Sequence, residues 1–298
     1  MALLISTNMY TAEDFRRVLP YLKKFNYEVG VEVFPMFHKT EYEEILQECL
    51  PELLKVPISF HGPYYGAEHS IQKPDEKDCG NGDQADEEFP KNKAEKGDLE
   101  NKTEEGLLAN KAGRYKRTMS MMQKTIEYGR YLKSRYLVYH HNNCHVFPEN
   151  KEEMIRISCE NFRKIEKMAK NTPVVVENAG VLQRDNMLFD QDEFVELCKR
   201  ENYKVLIDIG HAHANGWELG KVMEDLQDRI VAYHLHNNDG IHDSHRRIHD
   251  GTLDFGKFLS DYKRLTYGAD LVLEYSLEVK DDVEGIEEDV GELLLFLK

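Results

Sequence analysis

The chain has 298 residues, of which 41% are hydrophobic and 32% charged, and a formal net charge of −16. That length suits one large domain with a full core, and no apolar run reaches the roughly 18 residues of a membrane span. Such an acidic field repels phosphate backbones and anionic lipid heads, so nucleic acid is a disfavoured partner and a membrane is not expected.

Taken in chain order, short apolar and β-branched runs recur at Leu3–Ser6, Val29–Phe34, Val56–His61, Tyr136–His140, Val174–Glu177, Val205–Asp208, Ile230–His236 and Leu271–Glu274. Helical patterns separate them. Parallel strands need a crossover of a dozen or more residues, so this alternation predicts a parallel sheet. Eight such units predict an α/β fold, a single (β/α)8 TIM barrel over residues 1–298. No Gly-rich loop follows the first strand, which argues against a doubly wound open sheet. Met119, Met122 and Ile126 predict one helix face, and Val283, Ile286, Val290, Leu293 and Leu297 another.

Residues 66–113 break the rhythm. This long charged insertion lies in the β3–α3 connection and is rich in Asp, Glu, Lys, Asn and Gly. Its acidic centre, residues 75–105, reads as a solvated, flexible excursion, and its ends as lid-like or as an oligomer contact. Tyr64-Tyr65 and Phe89-Pro90 supply the apolar surface for that.

Cys49, Cys79, Cys144, Cys159 and Cys198 are odd in number and show no C-x-x-C spacing. They predict neither a disulfide framework nor a zinc knuckle, but a reducing, cytoplasmic setting. Met1-Ala2-Leu3-Leu4-Ile5-Ser6 lacks a basic n-region and reads as a buried strand, not a signal peptide.

The chemistry is written at the strand ends. The third run ends on His61, the fourth on His140, the fifth on Glu177 and the sixth on Asp208 followed by His211. The seventh reads His234-Leu-His236-Asn-Asn-Asp239, then Asp243-Ser-His245, and the eighth ends on Glu274. A carboxylate after three hydrophobic strand residues is costly unless it is paired or bound to a cation. In a closed barrel these ends surround one point, and a divalent cation there neutralises carboxylates that otherwise repel.

This order of motifs resembles the xylose-isomerase-like barrel superfamily, which includes sugar isomerases and epimerases, inosose isomerases and dehydratases, and the endonuclease IV type of abasic-site nuclease. It is most similar to the sugar phosphate isomerase/epimerase group. That group often reads H-x-H-D-N-D-G, then D-x-H and G-E-G-T-x-D-F; here stand His234-Leu-His236-Asn-Asn-Asp-Gly240, Asp243-Ser-His245 and His249-Asp-Gly-Thr-Leu-Asp-Phe255. The resemblance implies a metal held by Glu177, Asp208, His236 and Glu274. It implies catalytic roles for Glu177, Glu274 and His211, and substrate contacts from His61, His140, His211, Asp243 and His245. Arg246 is added as an anion ligand, because a guanidinium grips phosphate or carboxylate bidentately.

The implied enzyme is a metal-dependent sugar isomerase or epimerase working by proton abstraction next to a carbonyl. Its substrate would be a small keto-sugar, sugar phosphate or inosose. Mn²⁺ is the expected cofactor, with Mg²⁺ and Zn²⁺ as alternatives. A dehydratase or lyase on a polyol or glycoside is one alternative. An abasic-site nuclease is another, since His61, His140, His211, Asp243 and His245 match ligand positions of a three-metal site. A homo-oligomer is compatible with all of these. Departures from the group include His140-His141-Asn142 for H-P-G, Gln183 six residues after Glu177 and His242 six after His236. They argue against a ketose 3-epimerase in the strict sense.

Overall fold

The computed structural model describes residues 1–70 and 104–298, with side chains for all of these except 104–112. Eight strands form: β1 (Leu3–Ser6), β2 (Gly30–Val33), β3 (Ile58–Phe60), β4 (Leu137–Tyr139), β5 (Val174–Glu177), β6 (Lys204–Asp208), β7 (Ile230–Leu235) and β8 (Asp270–Leu273). They pair in sequence order into a closed parallel barrel, β8 returning to β1 through Leu3↔Leu271, Leu4↔Val272 and Ile5↔Leu273. Each predicted strand is present, its ends within two residues of expectation.

Helices α1 (Leu19–Lys24), α2 (Tyr42–Leu53), α3 (Glu104–Tyr131), α4 (Lys151–Ala169), α5 (Gln191–Glu201), α6 (Ile209–Ala214), α7 (Leu219–Leu226), α8 (Phe255–Leu265) and α9 (Val283–Phe296) cover the barrel. The pattern in α4 shows why. Met154, Ile157, Phe162, Ile165 and Ala169 are buried at helical spacing and pack on the sheet. In α3, Met122 and Ile126 are buried with Met119 packed against them, and in α9 so are Ile286, Val290 and Leu293. Val283 departs from the expected stripe and is exposed at the start of its helix. No helix among the described residues is long and apolar enough to cross a membrane.

Residues 71–103, which include Phe89-Pro90 and nearly all of the acidic centre, lie outside the described residues. The first residues of the insertion are described, and they turn inward: Ala67, Glu68, His69 and Ser70 are buried. Glu68 accepts hydrogen bonds from Ser70 N and Oγ, both at 2.8 Å, and from Asn143 N at 3.0 Å. Its own N–H donates to Thr118 Oγ1 of α3. The β3 exit is thereby tied to the β4–α4 loop.

Candidate metal centre

Side chains alternate across a strand, so the barrel interior fixes which strand-end residues face the axis. Tyr136, Val138, Val175, Leu206 and Ala232 form a separate apolar cluster apart from the main core between sheet and helices. Two residues beyond Val138, Val175, Leu206 and Ala232 stand His140, Glu177, Asp208 and His234, on the same face. His236 follows two further on. His141 has the opposite parity and packs outward, its Nδ1 2.9 Å from Ser158 Oγ of α4.

Glu177 is the hub. Its Oε2 lies 2.9 Å from His140 Nε2, 3.6 Å from His61 Nε2 and 3.4 Å from His234 Nδ1, and its Oε1 lies 3.3 Å from His211 Nδ1. His234 Nδ1 also faces Glu274 Oε2 at 3.2 Å and Asp208 Oδ2 at 3.8 Å. Asp208 caps α6 by accepting His211 N at 2.6 Å, which sets His211 one turn on, and it lies 2.9 Å from His236 Nε2. Asn178 clamps the Asp208 backbone from both sides, at 2.7 and 3.0 Å. Asp243 completes the ring, 3.4 Å from His211 Nε2 and 3.1 Å from His245 Nε2.

Local backbone features make room for these rings. A Cβ at Gly210 would lie 2.0 Å from His236 Cε1, so glycine is required where α6 meets that imidazole. His245 adopts φ 45°, a left-handed conformation that costs a non-glycine residue about 1 kcal/mol or more. It is held there by the paired backbones of Asn237 and Arg246 and by Ser276 N donating to its carbonyl.

Electrostatics follow from burial and crowding. Burial opposes ionisation of Glu177, but His140 and His234 beside it hold its carboxyl well below the usual range. Asp208, likewise buried, is brought down to about 2 by His211 and His236. Burial disfavours charged His211 and His234, yet the surrounding carboxylates raise both well above an ordinary imidazole. His245 is raised to about 9 against its burial, chiefly by Asp243.

Over the cluster opens a cavity of about 170 Å³, lined by His61, His140, Glu177, His211, Asp243, His245 and Glu274 together with Asn8, Phe34, Tyr64, Tyr65, Asn186 and Arg184. Among the described residues, Arg184 is the one lysine or arginine that lines it. Its guanidinium is engaged by Asp243, at 3.0 Å to the carboxylate and 2.7 Å to the carbonyl.

Do these residues fit a divalent cation? Glu177 Oε1, His211 Nδ1, His234 Nδ1, His236 Nδ1 and Asp243 Oδ1 are buried with no hydrogen-bond partner. Ligand atoms of Glu177, Asp208 and His234, and likewise of Asp208, His236 and Glu274, lie within 4.8 Å of one another. Mixed carboxylate and imidazole donors without thiolate are the set that hard or borderline divalent ions take. They fit.

Residues 99–298 match the family described as xylose isomerase-like TIM barrel. The chain belongs to that family. A curated relative within reach, an uncharacterized protein of Methanocaldococcus jannaschii, is 28% identical over 97 residues, 32% of this chain and 33% of the relative. The chain thus spans a third of that relative's length. Among solved structures, a D-tagatose 3-epimerase-like protein superposes with a TM-score of 0.69 at 17% identity, covering 100% of this chain and 98% of the other. The IolI protein with a bound zinc atom gives 0.66 at 16% identity, with the same coverage. At these identities the likeness is one of fold.

Within this xylose isomerase-like barrel, Glu177, Asp208, His211, Asp243, His245 and Glu274 converge with His61 and His140 at one end. His236, the imidazole expected beside the three carboxylates, groups with Asp208 and Glu274 and, separately, with His211, Asp243 and His245. His234 groups with Glu177 and Asp208. Arg246 is exposed and does not line the cavity, while Arg247 pairs with Asp289 and Asp282. Sequence reasoning missed His234, Glu32 and Arg184. The spacing of two in His234-Leu-His236 was the available signal for the first. A charged residue amid Val31 and Val33 was the signal for the second. Nothing in the sequence marks Arg184.

Proposed function

We propose that this chain is a divalent-metal-dependent isomerase or epimerase, acting on a keto-sugar, sugar phosphate or inosose by proton abstraction next to a carbonyl. The observation that carries this reading is the convergence of Glu177 and Glu274 on His234 Nδ1, at 3.4 and 3.2 Å, beneath a small open cavity. Glu177, Asp208, Glu274 and His234 would hold the cation, with His236 bracing Asp208. When bound, a cation there supplies Lewis acidity toward a carbonyl oxygen and its neighbour. Mn²⁺ is our first choice, with Mg²⁺ and Zn²⁺ sharing the donor chemistry.

The protein groups divide the remaining work. Glu177 and Glu274 end strands three places apart around the barrel, so they approach a substrate from different sides. One removes a proton and the other, or its neighbour, returns it. His211 bridges Glu177 and Asp243 and holds a proton between them at Nδ1 or Nε2. His61 and His140 brace Glu177 and bound the substrate on that side. Phe34, Tyr64 and Tyr65 exclude water, and an anionic substituent would meet Arg184. The naming of the D-tagatose 3-epimerase-like neighbour and the zinc in IolI support this reaction class and cofactor type. A dehydratase or lyase would use the same proton abstraction followed by loss of a leaving group. Cys49, Cys144, Cys159 and Cys198 are free thiols, which fits a cytoplasmic setting.

One observation favours a second reading. His61, His140 and Glu177 form a further group of donors, and His211, His236, Asp243 and His245 another, each within 4.8 Å. That is an inventory for three cations, as an abasic-site nuclease would require. The net charge of −16, and a single arginine lining the cavity among the described residues, oppose it. The test is incubation in deuterated water with Mn²⁺ across a panel of keto-sugars, sugar phosphates and inososes, beside a nicking assay on abasic duplex DNA. Label entering one substrate carbon, abolished by chelator, with intact DNA, supports the isomerase. Nicking without label would replace it by the nuclease.

A further inference from the structure

We infer that Glu32, a residue outside the cation's own ligand set, is the positioning residue that dictates which nitrogen of His234 faces the metal centre. This rests on the reading of His234 as a ligand. Glu32 lies in the middle of β2 between Val31 and Val33, with none of its surface exposed. A carboxylate so deep is costly unless its lone pairs are used. Two groups use them. Ser59, its register partner on β3, donates Oγ–H to Oε2 at 3.2 Å, and His234 Nε2 stands 2.9 Å from Oε1.

An ionised carboxylate accepts and does not donate. The proton of that contact therefore belongs to His234 Nε2. With a cation bound the imidazole is neutral, which leaves Nδ1 as its lone pair, and Nδ1 is the atom that faces Glu274, Glu177 and Asp208 with no hydrogen-bond partner of its own. Among three carboxylates, that lone pair is the ligand of a cation held between them. Glu32 meets the ring at the nitrogen remote from that point, so it directs the ligand and does not join it. Ser59 in turn holds the Glu32 rotamer.

Without the carboxylate, His234 is free to move its proton to Nδ1 and bond Glu274, which removes it from the ligand set. Loss of such an outer carboxylate typically lowers metal affinity about 10- to 100-fold. The experiment uses the full chain and Zn²⁺ as probe. Competition titration measures Zn²⁺ affinity of wild type, Glu32→Gln and Ser59→Ala, with circular dichroism and thermal melting of each metal-free protein. Long-range ¹H–¹⁵N spectra of the Zn²⁺-loaded wild type read the His234 tautomer. The expected result is a proton on Nε2 with Nδ1 coordinated. Glu32→Gln should lose about 10- to 100-fold in affinity with its metal-free fold retained, and Ser59→Ala should shift the same way by less.

Coordination through Nε2, or wild-type affinity in Glu32→Gln, overturns the assignment. Should Glu32→Gln not fold, the wild-type tautomer and Ser59→Ala decide it. Zinc binding that is indifferent to Glu32 defeats this inference alone, whereas a wild type that binds no divalent cation defeats it together with the proposed function.

Discussion

Strand β8 begins on one buried carboxylate and is followed at once by another, and the two are treated oppositely. Asp270, at its start, is 2% exposed and fully satisfied. Ala2 N donates to it at 2.7 Å, and the Arg135 guanidinium forks onto both oxygens. Glu274, just past its end, is 3% exposed and has no lysine or arginine partner among the described residues, only the imidazoles of His234 and His245 at 3.2 and 3.6 Å. Asp289 repeats the first pattern, with Arg247 and the Tyr275 hydroxyl closing around it. A buried charge completed by the chain's own cation is structural. One left beside other carboxylates and unpartnered imidazole nitrogens awaits a cation from outside.

Substitutions at the two ends should therefore fail in different ways. The largest effect belongs to Glu274→Gln, and equally to Glu177→Gln. Turnover with Mn²⁺ should fall about 10²- to 10⁴-fold, the span of a lost acid or base. Yet metal-free Glu274→Gln should melt no lower, because removing one of several crowded carboxylates relieves repulsion, whereas metal-free Glu177→Gln should melt lower, since His140 and His234 favour its charge. Added cation at a hundred times its Kd should stabilise wild type by about 2.7 kcal/mol and Glu274→Gln far less. Retained turnover in either variant would strip that residue of its role.

Arg135→Met should invert the pattern. Removing one partner of a buried pair costs about 3–5 kcal/mol. The Arg135 side chain is 39% exposed, so we expect the lower value of about 2–3 kcal/mol in urea unfolding. Turnover per folded molecule should stay at the wild-type level. A loss of activity that exceeds the loss of folded protein would mean that the two ends of β8 are coupled.

The same contrast explains what could be read in the sequence. The strands were legible because each is a β-branched run buried on both faces, and β5 matches its expected bounds, Val174–Glu177. The carboxylates were legible because an acidic residue closing such a run is expensive. The choice between His234 and His236 was not, since both share one parity and differ only in depth along the axis. Arg184 was invisible for another reason. It sits in a short 3-10 turn, and nothing in the local pattern says that Asp243, 59 residues on, will receive its guanidinium. Glu68 and His69 were hidden within a stretch whose composition reads as solvated.

That buried start of the insertion supports the smallest prediction. Burial, with the neighbouring His140 charge, pushes His69 down to about 3, and burial does the same to His141 on the outer face of the barrel. The folded imidazole then resists protonation while the unfolded one accepts a proton near pH 6.5. The unfolded chain binds more protons between these values, so stability is full above pH 6.5 and falls as pH drops toward 3. Each such histidine contributes up to about 1.4 kcal/mol per pH unit. Between pH 6.5 and 5 His38 and His213, also lowered by burial, share this slope. Carboxylates with lowered values act only below about pH 4, and imidazoles with raised values act above 6.5. His69→Phe keeps a ring against Tyr139, whose centroid lies 4.7 Å away. It should remove a clear share, though less than half, of the stability lost between pH 6.5 and 5, as measured by urea midpoints at each pH. An unchanged slope would mean that residues 67–70 open and let His69 take up its proton before the barrel unfolds.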